Sequence, residues 1–172
     1  MSSLLDATLA VARAAATSGR SRRKTSSPTF RYTVDASVFV NAFNAHERGH
    51  SESLQILATI HQRGDPVIVP TLLVAEIASA VARATDDRAG ALRYAAATAE
   101  LPNLTLVAFT SALARGAAEL TATHRLRGAD AVYLAVAGRY ATGLISRDEE
   151  QLRRGSRVAV CLTPEEALEQ TR

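Results

Sequence analysis

From residue 31 onward, short apolar segments alternate with longer segments whose apolar residues recur every three or four positions. The short segments are typical of buried strands, and the longer ones are typical of helices with one buried face. Strands separated by helices indicate βαβ units, in which helices cover both faces of a parallel sheet. The pattern therefore predicts the α/β class, with a central, mostly parallel sheet of about five strands flanked by helices.

The predicted strands are residues 31–34, 66–70, 104–109, 143–146 and 157–162. The predicted helices are residues 37–46, 53–63, 71–84, 88–101, 112–126 and 130–140, with a short helix from Asp148.

The length of the chain, 172 residues, is typical of a single domain. Residues 1–29 are rich in Ala, Arg and Ser, so we expect a flexible extension there and one folded domain over residues 30–172. No apolar run approaches the roughly 20 residues that cross a bilayer, so no membrane association is expected. The single cysteine, Cys161, excludes an intrachain disulfide and a cysteine zinc cluster, and a reduced cytoplasm is the expected location.

The net charge of +3 is unevenly distributed along the chain. Residues 1–30 carry five basic side chains and one acidic side chain, and residues 31–172 carry 15 basic and 16 acidic ones. The high isoelectric point therefore reflects the amino-terminal segment. The overall charge of the domain gives no argument for binding nucleic acid.

Two aspartates follow predicted strands at the points where helices begin. Asp35 comes directly after the first strand, and Asp148 follows the fourth strand after one residue. Both should lie at the carboxyl edge of the sheet, where open α/β folds bind their ligands. Aspartate is also a preferred helix N-cap, so each side chain has a purely structural interpretation as well.

Two further acids lie in helical segments. Glu76 interrupts the apolar helix "TLLVAEIASAV" at the edge of its buried face, and no basic residue three or four positions away can neutralise it. It therefore needs a partner from another part of the chain. Asp130 opens the apolar helix "DAVYLAVAG", where helix capping is the alternative explanation.

If these four acids converge, they place a charge of about −4 in a partly desolvated cleft. Nearby carboxylates raise one another's pKa, and cations are needed to compensate for the repulsion. A hard divalent ion with oxygen ligands, Mg²⁺ or Mn²⁺, is the natural cation for such a set. The reaction that suits this site is phosphodiester hydrolysis.

Four segments of the chain resemble PIN-domain nucleases, and most closely the VapC-type toxins of toxin–antitoxin pairs. They are "TVDASVFVN", "PTLLVAEIASAV", "LRGADAVYLAVAG" and "GLISRDEEQL", in the family's order between Thr33 and Leu152. The resemblance implies a PIN-like nuclease domain with metal-dependent RNA cleavage in the cytoplasm, and a cognate antitoxin as partner. It also implies that Asp35, Glu76, Asp130 and Asp148 are the catalytic and metal-binding residues, and that the hydroxyls of Ser37 and Ser146 orient carboxylates or waters.

Alternatives come from other features of the sequence. The segment "HERGH" matches the H-E-x-x-H pattern of zinc metallopeptidases, with His46 and His50 as ligands and Glu47 as the base. That pattern needs a continuous helix, which Gly49 disfavours. A non-catalytic RNA-binding module of the same fold is a second alternative. Apolar faces on "LLVAEIASAVARA" and the neighbouring helix could pair two copies into a homodimer, although burial within one domain explains them equally well.

Overall fold

A five-stranded sheet forms the centre of the computed structural model, which describes residues 30–171. The strand order is β3-β2-β1-β4-β5, and every neighbouring pair is parallel. The predicted α/β class with a parallel five-stranded sheet is therefore confirmed. The extension predicted at residues 1–29 lies outside the described residues. The strands are β1 (Tyr32–Val34), β2 (Val67–Pro70), β3 (Leu104–Val107), β4 (Gly143–Ile145) and β5 (Cys161–Leu162).

Helices connect the strands and flank the sheet. Within residues 30–171 they are α1 (Ala36–Phe43), α2 (His50–Arg63), α3 (Leu72–Thr85), α4 (Arg88–Ala99), α5 (Ser111–His124), α6 (Gly128–Tyr140), α7 (Glu149–Gly155) and α8 (Pro164–Gln170). In this part of the chain, no helix combines the length and the apolar character that a membrane span requires.

The strand order reverses direction at β1, which lies between β2 and β4. From β1 the chain proceeds outward to β2 and β3, and it then returns to the other side of β1 as β4 and β5. The carboxyl ends of β1 and β4 are adjacent, and the backbone N–H of Asp35 donates to Ile145 O at 2.9 Å. Such a reversal leaves a crevice at the carboxyl edge of the sheet, which is where this fold class binds ligands.

The core lies between the sheet and the inner faces of the helices. Val34 on β1, Val69 on β2 and Leu144 on β4 are fully buried, as are Ile77 on α3 and Leu134 on α6. Helix α6 packs against β1, β2 and β4 and is apolar on almost every side, as the sequence predicted. Burial of these side chains holds both acid-bearing helices in place, at roughly 1.5–3 kcal/mol for each large aliphatic side chain.

The fifth strand is much shorter than predicted. The sequence indicated a strand over residues 157–162, but only Cys161 and Leu162 pair with β4. The backbone N–H groups of Val158 and Ala159 both donate to Gly155 O, which continues the turn at the end of α7. Val160 is 62% exposed, so its apolar character does not reflect burial in the sheet.

Helix α8 was not predicted, although the sequence carries a signal for it. The hydroxyl of Thr163 accepts from the backbone N–H of Glu166, and the Glu166 carboxylate accepts from the backbone N–H of Thr163. This reciprocal pair is a capping box, and Pro164 occupies the first helical position, where proline is favoured. The pattern "TPEE" therefore identifies a helix start that apolar periodicity alone does not indicate.

Replacing Thr163 with alanine is expected to lower the free energy of unfolding by about 1 kcal/mol, because the helix loses one half of its capping box. Thr163→Ser keeps the hydroxyl and should stay close to the wild type. Urea denaturation of the three proteins measures the difference. Equal stabilities for Thr163→Ala and Thr163→Ser would show that the cap does not stabilise α8.

Candidate active site

The four acids singled out in the sequence line one open cleft at the carboxyl edge of the sheet, together with Ser37. Asp35 follows β1 and Asp148 follows β4, so the parallel pairing of these strands brings the two residues together. Glu76 reaches the cleft from α3, and Asp130 reaches it from the first turn of α6.

Asp35 and Asp148 are both helix N-caps, so the capping role considered for each residue is correct. Asp35 Oδ1 accepts from the backbone N–H of Ser37 at 2.8 Å at the start of α1. Asp148 Oδ1 accepts from the backbone N–H of Gln151 at 2.9 Å at the start of α7. Each cap uses one carboxylate oxygen and fixes the direction of the other. A capping role and a role in the cleft are therefore compatible.

The second oxygen of each cap faces a different neighbour. Asp35 Oδ2 lies 3.5 Å from the side-chain nitrogen of Gln151. Asp148 Oδ2 lies 3.4 Å from a guanidinium nitrogen of Arg127, whose side chain is largely exposed. The guanidinium also approaches Glu150 at 4.0 Å. Arg127 therefore supplies part of the positive charge that the acids require.

Asp130 is not a helix cap, contrary to the alternative drawn from the sequence. Helix α6 begins at Gly128 and its N-cap residue is Arg127, so Asp130 occupies the third helical position. A carboxylate there interacts favourably with the helix dipole, but it does not terminate the helix. Its position in the cleft therefore has no capping explanation.

Glu76 obtains its partner from the helix that carries Asp130. The hydroxyl of Tyr133 donates to Glu76 Oε2 at 2.6 Å, and the Tyr133 ring is fully buried. The sequence shows that Glu76 needs a distant partner but does not identify it. A tyrosine in an otherwise apolar helix, one turn after Asp130, is the signal that could have found it.

Burial and mutual repulsion raise the pKa values of three of the four carboxyls. Burial is the largest cause for Asp35, Glu76 and Asp130. The pKa of Asp130 rises to about 6, with Asp148 and Asp35 adding to the effect of burial and Arg127 opposing it. The pKa of Glu76 is raised by burial and by Asp35 and Asp130, against the hydrogen bond from Tyr133. These carboxyls form one electrostatically coupled group.

The two predicted serines support the loop that carries Asp148. Ser146 is fully buried, and its hydroxyl accepts from the backbone N–H of Asp148 at 3.0 Å. Ser37 accepts from the backbone N–H of Arg147 at 3.1 Å, and the two hydroxyls lie 3.4 Å apart. Ser37 also lines the cleft with the acids. The two hydroxyls therefore hold the backbone of residues 147 and 148, whereas Ser37 contacts the Asp35 carboxylate directly through its backbone N–H.

Gln151 is a residue of the site that sequence reasoning missed. Its side chain is fully buried, and its amide nitrogen lies 3.3 Å from the backbone oxygen of Asp130 and 3.5 Å from Asp35 Oδ2. It therefore links the acid after β1 to the first turn of α6. Its amide oxygen has no hydrogen-bond partner within residues 30–171. No sequence motif distinguishes this glutamine, because its role depends on a contact between distant segments.

The "HERGH" segment does not have the geometry of a zinc peptidase. Gly49 has a φ of +80° and α2 begins at His50, so the two histidines are not on one continuous helix. The carboxylate of Glu47 accepts from the side-chain amides of Asn41 and Asn44. Nδ1 of His50 lies 3.2 Å from Asn41 O. These residues form a polar turn at the end of α1 rather than a metal site.

The four acids can be tested as ligands of a divalent cation by their donor atoms and their charge. Across residues 30–171, no three His, Cys, Asp or Glu side chains are grouped closely enough to enclose a metal ion. The donors that line the cleft are nevertheless carboxylate oxygens, the ligands preferred by Mg²⁺ and Mn²⁺, and Mg²⁺ retains several waters when it binds. Burial is the main cause of the raised pKa of Asp130, and the charges of Asp148 and Asp35 add to it; a cation in the cleft would offset this second contribution. The residues therefore fit such an ion by donor type and charge.

A family model described as the PIN domain matches residues 32–157 of the chain. This chain belongs to the PIN-domain family. The matched range contains all four acids of the cleft. PIN domains are a nuclease family, so membership supports a hydrolase that acts on nucleic acid. No curated protein sequence matches the chain at a significant level.

Solved PIN-domain structures share the fold at low sequence identity. VapBC2 of Rickettsia felis, bound to a DNA fragment from its promoter, is 12% identical with a TM-score of 0.59, covering 78% of this chain and 98% of that one. VapC20 of Mycobacterium tuberculosis, a sarcin–ricin loop cleaving toxin, is 20% identical with a TM-score of 0.60, covering 70% and 92%. FitAcB of Neisseria gonorrhoeae is 16% identical with a TM-score of 0.59, covering 78% and 98%. At these identities the likeness shows a shared fold.

Asp130→Asn is expected to stabilise the metal-free PIN domain at pH 7. The pKa of Asp130 is about 6 in the folded protein against an ordinary value of 3.8, so the folded state binds the proton of this carboxyl more tightly than the unfolded state does. Stability therefore falls as the pH rises between these values, and the full loss is present above about pH 6. Two pKa units correspond to roughly 3 kcal/mol, which solvent screening of this half-buried group reduces to about 1 kcal/mol.

Denaturation in EDTA at pH 7 and at about pH 4 measures this effect. The gain should be present at pH 7 and absent near pH 4, where Asp130 is protonated in the folded state of the wild type. Glu119→Gln, which removes an exposed carboxylate within α5, is the matched control and should change little. A large loss of stability in Asp130→Asn at pH 7 would contradict the electrostatic account.

Proposed function

We propose that this protein is a metal-dependent endoribonuclease and the toxin of a toxin–antitoxin pair. The observation that carries the proposal is the cleft lined by the carboxylates of Asp35, Glu76, Asp130 and Asp148 within a PIN domain. The raised pKa values of three of these carboxyls support a site that functions with a bound cation. A purely structural cluster would have no reason to retain this repulsion.

The proposed cofactor is Mg²⁺ or Mn²⁺, held by the carboxylates of Asp35, Asp130 and Asp148, with Glu76 as a further ligand or as the residue that orients the attacking water. When bound, such an ion supplies positive charge that activates the attacking water and stabilises the charge developing on the phosphate. Asp35 and Asp148 can offer the ion the oxygens that their caps leave free. Arg127 must then share or release Asp148 Oδ2, which it contacts at 3.4 Å.

In the proposed reaction, Glu76 orients the attacking water. Tyr133 donates to Glu76 Oε2 and leaves Oε1 free to accept a proton from that water. The water oxygen attacks phosphorus, the bond between phosphorus and the leaving oxygen breaks, and the leaving oxygen takes up a proton from solvent water. No covalent intermediate with the protein is needed. Ser37 and Ser146 act indirectly, since they fix the loop that presents Asp148.

RNA as the substrate and a role as a toxin rest on similarity. The VapC20 structure is that of a toxin that cleaves the sarcin–ricin loop, and another solved structure that shares the fold is a toxin–antitoxin complex from Klebsiella pneumoniae. We extend to this chain a cytoplasmic location, an RNA substrate and an antitoxin partner. A homodimer through the apolar faces of α3 and its neighbour stays a prediction. A module that only binds RNA is disfavoured, because the clustered acids repel the phosphates of RNA. A site that served binding alone would gain from replacing these acids.

Purified protein is expected to cleave RNA with Mg²⁺ or Mn²⁺ and to lose this activity in EDTA. Asp35→Asn and Asp130→Asn should each lower the cleavage rate by on the order of 100-fold or more, because each removes a carboxylate that binds the cation, and the charge of the cation stabilises the transition state. Gel analysis of a labelled RNA, with a DNA of the same sequence beside it, measures both activity and substrate class.

His46→Ala is the matched control for these variants, since His46 is exposed in the turn after α1. Its cleavage rate should equal that of the wild type. If His46→Ala abolishes activity and the aspartate variants retain it, the carboxylate site is wrong. Cleavage that persists in EDTA would contradict the metal requirement.

An antitoxin encoded beside this protein is expected to insert an arginine or lysine into the cleft, within hydrogen-bonding reach of Asp35, Glu76, Asp130 or Asp148. A guanidinium pairs bidentately with carboxylates and relieves the same repulsion as the metal ion. Mg²⁺ should therefore compete with the inhibitor, and the inhibition constant should rise with Mg²⁺ concentration. Inhibition that survives mutation of every basic residue in the partner's docking segment would exclude this mode while leaving the nuclease assignment intact.

A further inference from the structure

Arg83 lies on the wall of the acidic cleft, on the same helix as Glu76. The two residues are seven positions apart on α3, which places them on one face of the helix about 10 Å apart along its axis. Arg83 lines the same cleft as the four acids, and its side chain is exposed to solvent. Among the described residues that line the cleft, it is the one cation.

The charge of Arg83 is not neutralised by an acid in the described part of the chain. Within residues 30–171 it forms no ion pair, and its guanidinium donates to the hydroxyl of Ser79 one turn earlier on α3. A neutral hydroxyl orients the guanidinium without cancelling its charge. Arg127 differs, because it contacts Asp148 and Glu150. Arg83 therefore retains its positive charge and most of its N–H donors for a ligand.

The position of Arg83 near the end of α3 gives it a structural role as well. A cation in the last turn of a helix interacts favourably with the helix dipole, by roughly 0.3–1 kcal/mol. The dipole does not explain why the side chain lies on the face that carries Glu76, since any face of the last turn would serve. Its presence in the cleft therefore requires a separate explanation.

A cleft lined by four carboxylates repels a polyanionic substrate, so a nuclease of this kind needs positive charge beside the acids. We propose that Arg83 binds a phosphate of the nucleic-acid substrate that neighbours the phosphate being cleaved. Arginine suits this contact because its planar guanidinium donates two parallel hydrogen bonds to phosphate oxygens. The inference rests on the proposed nuclease function and assigns a substrate-binding residue to the same cleft.

Binding can be measured without cleavage in the Asp130→Asn background, with Mg²⁺ present and a fluorescein-labelled single-stranded RNA of about 12 nucleotides. Fluorescence anisotropy at increasing KCl gives the dependence of the association constant on salt. Adding Arg83→Gln should weaken binding at every salt concentration and reduce the salt slope by about 0.7, the value for one lost phosphate contact on a single strand. Arg83→Lys keeps the charge and should retain the slope.

Arg115→Gln is the matched control. Arg115 is an exposed arginine on α5 that does not line the cleft and has no ion pair within residues 30–171. Arg115→Gln removes the same formal charge as Arg83→Gln, so any general effect of net charge appears equally in both variants. Equal salt slopes for Arg83→Gln and Arg115→Gln would overturn the assignment of Arg83.

Steady-state cleavage separates this inference from the proposed function. In the otherwise wild-type protein, Arg83→Gln should raise KM by roughly 5- to 10-fold and leave kcat within about 2-fold, since the contact is present in both ground and transition states. If the wild type cleaves RNA and Arg83→Gln has an unchanged KM, the Arg83 inference fails and the function stands. If the wild type neither binds nor cleaves RNA with Mg²⁺ or Mn²⁺, both fail.

Discussion

Asp35 and Asp148 each cap a helix with one carboxylate oxygen and line the cleft at the same time, and the arrangement of the site depends on this double role. The two residues follow adjacent parallel strands, so the pairing of β1 with β4 determines how close they lie. Each cap satisfies a backbone N–H that would otherwise have no partner. A substitution that removed either carboxylate would therefore affect both a helix start and the charge of the cleft. Structural and chemical roles are combined in the same side chain.

The charge that accumulates at this edge of the sheet is only partly balanced from within the chain. Arg127 contacts Asp148 and lowers the pKa of Asp130, yet that pKa still rises to about 6. Tyr133 offers Glu76 a hydrogen bond but no charge. The remaining repulsion lowers the stability of the folded protein, as expected where the chemistry of a site conflicts with stability. The proposed metal ion and the proposed basic side chain of an inhibitor would both act on this excess of negative charge.

Much of the fold was predictable, because apolar strands and amphipathic helices carry strong local signals. The four acids were also predictable, since each stands at a strand end or in an apolar helix where its presence needs an explanation. The partners of these acids were not. Tyr133 and Gln151 are 57 and 116 positions from the acids whose side chains they contact, and such pairings follow from packing rather than from local pattern. Helix α8 was missed although its capping box is visible in the sequence, and β5 was overextended because apolar residues in a turn resemble a strand.

The four carboxylates of this PIN domain are proposed to form one cation-binding site. The most direct test is a crystal structure of the protein grown with Mn²⁺, with diffraction data collected at the manganese absorption edge. Anomalous scattering identifies the position of the ion independently of any activity. We expect an anomalous peak in the cleft, coordinated by carboxylate oxygens of Asp35, Asp130 or Asp148. A peak at His46 or His50, or an ordered cleft without a peak at a saturating Mn²⁺ concentration, would contradict it.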